Sequence, residues 1–333
     1  MQKIFSFGEL LLRISPEING QWIHDSKTEI YLGGAELNVA TALAKWNMAA
    51  KYCTVLPDNY LSNEIIDELK QKNIDTSSVL ISGKRIGIYF LPSSADLKHS
   101  DVIYDRTNSS FSELKPGIIN WDEALNDCTW FHFSAISPAL NENVALVCEE
   151  GLRAASAKGL TISVDLNFRA KLWQYGKPPV DVMSKLLPYC HVVMGNIWAA
   201  EKLLDIYRDF ENSEGKSRDE LTAAAQKSMN HLQQLYPKLN SVAYTFRLPE
   251  TYFSVLHSDK VFASSKEFSL QNIISKVGSG DCFMAGLIYG ILNQHQPQTI
   301  IDFASSAAVG KMKEKGDATN QTIASVKNNI TNL

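Results

Sequence analysis

From about residue 129 onward, short β-rich runs alternate with stretches of helical periodicity, and that alternation leaves few folds open to the chain. "TWFHFSAI" is followed by a helix predicted from Asn143 to Ala157, then by "TISVDLN", "HVVMGN" and a helix opening at Trp198. A charged loop over 209–219 leads into the amphipathic run "DELTAAAQKSMNHLQQLY" and then "SVAYTFR". The pattern predicts an α/β fold whose mainly parallel sheet carries helices on both faces, a three-layer α/β/α core. Earlier in the chain, "RIGIYFLPSS" and "DVIYDRTN" are strand-like with no helix between them. They predict a small antiparallel sheet, built from about 13–33 and 79–110, that projects as a lid from one domain spanning 1–333.

Bulk properties remove several function classes. The 333 residues are 45% hydrophobic and 20% charged, with a net charge of −4 and no basic block interleaved with aromatics, so nucleic acid is not an expected partner. The five cysteines (53, 128, 148, 190, 282) form no C-x-x-C pair and read as buried free thiols in a reducing cytosol. "MQKIFSFGELLLRIS" is too interrupted by Glu9 and Arg13 for a signal peptide, and no apolar run approaches the ~18 residues that a membrane span needs. The seven histidines show no H-x-x-x-H or H-E-x-x-H spacing, so no protein-built metal site is expected.

Ligands of open α/β sheets bind beyond the carboxyl ends of the strands. Three such ends carry polar side chains: Asn167 and Arg169 after "TISVDL", Asn196 after "HVVMG", and Thr245 and Arg247 after "SVAY". Each alone reads more readily as the start of a loop, whereas three on one edge favour a shared site. In the lid, Tyr104 and Arg106 are two apart and share a strand face, with Tyr89 placed similarly on its own strand. Such a face can grip an anion through the guanidinium, although a solvated edge strand accounts for it about as well. "YLGGAELNVATALAKW" sets Gly33 and Gly34 before an Ala-rich helix with Asn38 one turn in, which permits close backbone approach to a ligand or simply starts a helix.

The late segment "SKVGSGDCFMAGLIYG" is more specific. Gly278, Ser279 and Gly280 place backbone N–H groups at the start of a helix whose run from Cys282 to Leu292 is apolar and bound for burial. Asp281 there could be only a cap, but a carboxylate beside an anion cradle can also take a proton from an alcohol attacking phosphorus. Two commoner phosphate motifs fail by position. G-x-G-x-x-G would need glycine where Phe283 stands, and G-x-x-x-x-G-K-[ST] around Gly215-Lys216-Ser217 meets Phe210 at its first glycine.

Together "GGAELNVATALA" and "VGSGDCFMAGL" resemble the two signatures of the ribokinase-like (PfkB) sugar kinases over nearly the whole chain. "GELLLRISP", "IGIYF", "VIYDRTNSSFS", "DLNFRAKLW", "VAYTFR" and "KGDATN" are similar to segments of the 2-keto-3-deoxygluconate kinase subgroup. The resemblance implies transfer of the γ-phosphoryl group of ATP, with Mg²⁺, to a hydroxyl of a sugar or sugar acid. By position, Asp281 matches the general base and Gly278, Ser279 and Gly280 the anion hole. Gly33, Gly34, Asn38, Tyr89, Tyr104, Arg106, Arg169 and Asp317 match acceptor-binding positions. Asn167, Asn196, Thr245, Arg247 and Lys276 fall to the nucleotide side.

The chain departs from the family twice. Its N-x-x-E motif reads Asn196-Ile197-Trp198-Ala199, and Ser275-Lys276 replaces an Asp-Thr or Asp-Arg pair. These departures motivate a non-catalytic sugar or nucleotide sensor as one alternative reading, and a fructokinase-type enzyme is another. Exposed edge strands of the lid predict a homodimer joined through it.

Overall fold

The computed structural model describes residues 2–16, 22, 27–91 and 102–331. β1 (Lys3–Phe7), β2 (Leu11–Pro16) and β3 (Thr28–Gly33) lead into α1 (Ala35–Lys45). Then come β4 (Ala49–Cys53), β5 (Val55–Leu56), α2 (Tyr60–Gln71), β6 (Ile74–Asp75), β7 (Leu80–Ile81), β8 (Gly87–Phe90) and β9 (Ile103–Asp105). The expected alternation follows in α3 (Trp121–Ala124), β10 (Trp130–Ser134), α4 (Glu142–Ala157), β11 (Thr161–Asp165), α5 (Pro179–Leu186) and β12 (Val192–Gly195). It continues through α6 (Ile197–Leu204), α7 (Arg218–Leu235), β13 (Ser241–Arg247), β14 (Thr251–Ser258), β15 (Val261–Ser264) and β16 (Phe268–Ser269). α8 (Ser279–Leu292), α9 (Pro297–Met312) and α10 (Ile323–Thr331) close the described chain.

Local chemistry sets several helix starts. Asn59, Asn141 and Asn196 each accept the N3 amide of the helix they precede, and Ser217 with Glu220 forms a reciprocal capping box for α7. The large sheet runs β15-β14-β13-β12-β11-β10-β1-β4-β6, with β16 on β14. Pairs from β6 across to β13 are parallel, and β14, β15 and β16 add antiparallel edges. Period-2 alternation splits its side chains between two cores. Phe5, Phe7, Phe131, Phe133 and Val193 face α3 to α7, while Ile4, Trp130, Val192 and Met194 face α1, α8 and α9. The three-layer expectation therefore holds.

The second sheet, β3-β2-β8-β9, differs from the expected antiparallel one, because β2 and β8 run parallel. The chain between them crosses the main body through α1 and α2, and a crossover of that kind returns a strand in the same direction. β7, within the 79–110 span expected to belong to this sheet, instead pairs with β5 in a separate two-stranded sheet. Segments 17–21, 23–26 and 92–101 of the expected lid lie outside the described residues. The polar tail after Gly316 contains a helix, α10, because one apolar residue, Val326, docks fully buried against the core that holds α9.

Candidate active site

Every residue singled out from the sequence except Gly33 lines one cleft of about 640 Å³ at the carboxyl ends of the parallel strands. Gly33 lies just behind the wall, where a Cβ would come 2.8 Å from Asp317 Oδ2 and 3.3 Å from the Tyr89 ring. Its absent side chain makes room for that pair. Gly34 is needed for its backbone: φ is 133°, and a Cβ would stand 2.6 Å from the Glu9 carbonyl oxygen.

Two helix N-termini meet in the cleft. α8 opens at Gly278, whose φ of 75° is the left-handed conformation that glycine adopts freely. A Cβ there would fall 1.8 Å from the Asp317 carbonyl oxygen, so the turn is packed backbone against backbone. In the first turn of α8 the Ser279 amide reaches the Lys276 carbonyl at 3.5 Å, while those of Gly280 and Asp281 have no intrahelical acceptor and belong to residues that line the cleft. A Cβ on Gly280, by contrast, would meet only Met194 Cε at 3.7 Å. Folding does not demand glycine at 280, so the space its missing side chain leaves faces the cleft.

Asp281 sits in this first turn, 8% exposed, and Asn38 Nδ2 of α1 donates to its Oδ2 at 2.7 Å. Burial pushes its carboxyl up to about 8. The Asn38 bond opposes that shift, while the negative charges of Asp165 and Glu36 add to it. A raised pKa lessens the repulsion between this carboxyl and an incoming phosphate, and it makes the ionised form a stronger base. Asn38 Oδ1 is buried with no hydrogen-bond partner among the described residues.

Around this centre the structure places carboxylates that the sequence reading missed. Asp165, at the end of β11, is buried and pushed up to about 7 by desolvation. Its signal was present in "VDLN", one residue before the turn that carries Asn167. Glu36 lies at the second position of α1 and accepts the Ser134 amide at 2.9 Å and the Ser134 hydroxyl at 2.7 Å; burial raises its pKa. Glu9, in the turn after β1, takes up Arg106. Arg106 Nε and an Nη both donate to Glu9 Oε2 at 2.6 Å, and the Ser109 hydroxyl donates to Oε1 at 2.5 Å.

Arg106 thus lines the cleft with its charge already paired, and it follows β9 rather than lying within it. Arg106 therefore keeps the expected place at the cleft, but its charge is shared with Glu9 through Nε and one Nη. Asp317 is likewise occupied. Arg13 Nε donates to Oδ1 at 2.7 Å and the Tyr89 hydroxyl donates to Oδ2 at 2.6 Å, so the residue binds the second sheet to the core. Tyr89 stands opposite Tyr104 across β8 and β9, with ring centroids 6.3 Å apart, as their shared face predicted. Arg169 donates to the Phe168 carbonyl at 3.1 Å and forms no ion pair among the described residues.

On the other side of the cleft, Asn196 Oδ1 accepts the Ala199 amide at 2.9 Å, so the side chain caps α6 as well as lining the wall. Ala199 is the N3 position of that helix, where a glutamate would complete a capping box. Glu201 points away and pairs with Arg208 at 2.8 Å. The Thr245 hydroxyl donates to the Gly195 carbonyl at 3.4 Å, and Arg247 and Lys276 close this end. Among the described residues no group of three His, Cys, Asp or Glu side chains could hold a metal ion, and no helix is long and apolar enough to cross a membrane.

Comparisons with known proteins identify the family and the fold. A solved 2-dehydro-3-deoxygluconokinase from Thermotoga maritima superposes with a TM-score of 0.90 at 31% identity, covering 99% of this chain and 100% of that one. The 2-dehydro-3-deoxygalactonokinase of Haloferax volcanii is 31% identical over 172 residues, 51% of this chain and about half (54%) of that protein's length. The 5-dehydro-2-deoxygluconokinase of Geobacillus kaustophilus is 24% identical over 308 residues, 89% of this chain and 84% of that protein. The description "pfkB family carbohydrate kinase" matches residues 1–323, and the chain belongs to that family.

Proposed function

We propose that this carbohydrate kinase transfers the γ-phosphoryl group of ATP to a hydroxyl of a small sugar acid, with 2-keto-3-deoxygluconate as the acceptor. The observation that carries the reading is the pairing of Asp281 with Asn38 across two helix N-termini, beside the open space at Gly280. Asp281 takes the hydroxyl proton as the acceptor oxygen bonds to phosphorus. The bond from phosphorus to the β–γ bridging oxygen breaks, leaving ADP. The amides of the Gly278–Gly280 turn and the dipole of α8 receive the charge in transit. Asn38 Oδ1, without a partner among the described residues, accepts from a second, neighbouring hydroxyl of the acceptor.

Arg169 binds the acceptor's carboxylate, because Arg106 is already paired with Glu9. Tyr104 and Tyr89 line the acceptor end, where Asp317 and the backbone of Gly33 and Gly34 fix the wall. Asn167, Asn196, Thr245, Arg247 and Lys276 form the nucleotide side. The relatives that act on keto-deoxy sugar acids support this substrate class. Mg²⁺ would arrive bound to the ATP phosphates, and among the described residues no group of three His, Cys, Asp or Glu side chains gathers to hold it unaided.

The four-stranded sheet is the lid of a single 1–333 domain. Its outward row Ile30–Ile14–Phe90–Ile103 crosses all four strands in register, with Ile30 64% and Ile103 56% exposed. A second copy covers this row in a homodimer, and a monomer by light scattering at micromolar concentration would overturn that.

The test of function is ADP release with Mg²⁺-ATP on 2-keto-3-deoxygluconate, gluconate, fructose and ribose, with Asp281→Asn beside the parent. Turnover on the keto-acid that vanishes in the variant is expected. Turnover on fructose instead would discard the substrate. Silence on all four with ATP still bound would favour a sensor, the reading to which Ala199 and Ser275 point.

A further inference from the structure

Lys311, in the last turn of α9, is fully buried and has no place in the chemistry above. Its Nζ donates to the Gly316 carbonyl at 2.9 Å and to the Glu314 carbonyl at 3.4 Å. The Glu314 carboxylate is engaged elsewhere, by the Thr319 hydroxyl at 2.7 Å and the Asn320 amide at 3.1 Å. The turn that Lys311 holds runs straight into Asp317, whose carbonyl oxygen packs against Gly278. Lys311 itself is close to the cradle, since its Cε would stand 3.3 Å from a Cβ on Gly278. The neighbouring Met312 carbonyl accepts the Ile274 and Ser275 amides at 2.8 and 3.0 Å, which ties down the segment that leads into the cradle.

A lysine near a helix C-terminus is favourable at a surface, where water still solvates the ammonium. Burying that charge carries a desolvation cost that a methionine of similar length would avoid. That charge nevertheless stands behind the turn at Gly278. We propose that Lys311 is a positioning residue for phosphoryl transfer: its ammonium fixes the 314–317 turn against Gly278 and sets a positive charge behind the cradle. The inference rests on the kinase reading and on the cradle, and not on which sugar is phosphorylated.

The test reads the cradle without an acceptor. ADP binding is measured by calorimetry with and without orthovanadate, a stand-in for the phosphoryl group in transit, in the parent and in Lys311→Met. The parent is expected to bind ADP more tightly with vanadate. Lys311→Met is expected to lose about tenfold or more of that tightening while binding ADP alone within about threefold, since one nearby charge acts on the anion at intermediate dielectric. In Lys311→Ala, methylammonium is expected to restore part of the tightening and tetramethylammonium none, a response that a merely structural lysine would not give. Should Lys311→Met unfold, Lys311→Gln, which keeps an N–H donor without the charge, takes its place in the same comparison. Equal tightening in parent and variant, or none in the parent, would overturn the proposal. A parent that tightens with vanadate yet ignores 2-keto-3-deoxygluconate would sink the substrate reading and leave Lys311 standing.

Discussion

Gly280→Ala separates the needs of the fold from those of the chemistry. The new methyl group would touch only Met194 Cε at 3.7 Å, an ordinary van der Waals contact, and it lies in a helix with no positive φ at that residue. Alanine also restricts the unfolded chain more than glycine does, so the variant should be as stable as the parent or more stable by about 0.4–1 kcal/mol. The same methyl group projects into the space assigned to the transferring phosphoryl group. Displacing that group by roughly 1 Å costs on the order of 100-fold, and weakening one amide donor to a developing oxyanion costs a similar factor. Thermal unfolding and ADP release on the same preparation should therefore show a retained or raised Tm beside a loss of about 100-fold in kcat. A folded Gly280→Ala with kcat within about threefold of the parent would mean that the phosphoryl group does not sit in this turn. Gly278→Ala is the contrasting control. With φ at 75° and the Asp317 carbonyl 1.8 Å from the new Cβ, it should destabilise by more than the ~1 kcal/mol typical of a left-handed residue alone.

Other expectations follow from the same geometry. Burial holds Asp281 at about 8 and the base must be deprotonated, so kcat/KM should rise with pH through that value. Asn38→Ala removes a bond that favours the charged form, so it should move the rise to higher pH; a pH–rate profile unchanged in that variant would count against the pairing. Arg169→Ala should raise KM for the sugar acid by about 10–100-fold, one charge-assisted contact, with little effect on a neutral sugar such as fructose. Arg106→Ala should act chiefly on stability. It leaves Glu9 buried without its ion-pair partner, a loss of about 3–5 kcal/mol measurable by urea unfolding. Ala199→Glu completes the capping box on the nucleotide wall and should improve kcat/KM for Mg²⁺-ATP by about tenfold, the scale of a recovered outer-shell partner. No change would detach residue 199 from metal and phosphate handling.

Much of the cleft was legible because its parts are local. The Gly278-Ser279-Gly280-Asp281 turn is read within one helical turn, and the strand ends at Asn167, Asn196 and Thr245 follow from periodicity in the second half of the chain. The first half was harder. β1 and β4 are short, fully internal strands with no alternation to mark them, and β1 proved to lie between β10 and β4 within the large sheet. The second sheet was expected to be antiparallel because sequence neighbours suggest hairpins, whereas β2 and β8 pair only after the chain has crossed the core.

Local order therefore specified the layering, the glycine turn that opens α8 and its aspartate. Those features depend on residues a few positions apart, and backbone geometry alone brings such residues together. Which charges in the cleft remain available was a tertiary decision. Arg106 meets Glu9 across 97 residues and Arg13 meets Asp317 across 304, so no local pattern reveals that either arginine is already paired. The raised pKa values of Asp165 and Asp281 arise in the same way, because desolvation is a property of everything packed around a carboxyl group and not of its neighbours in the chain.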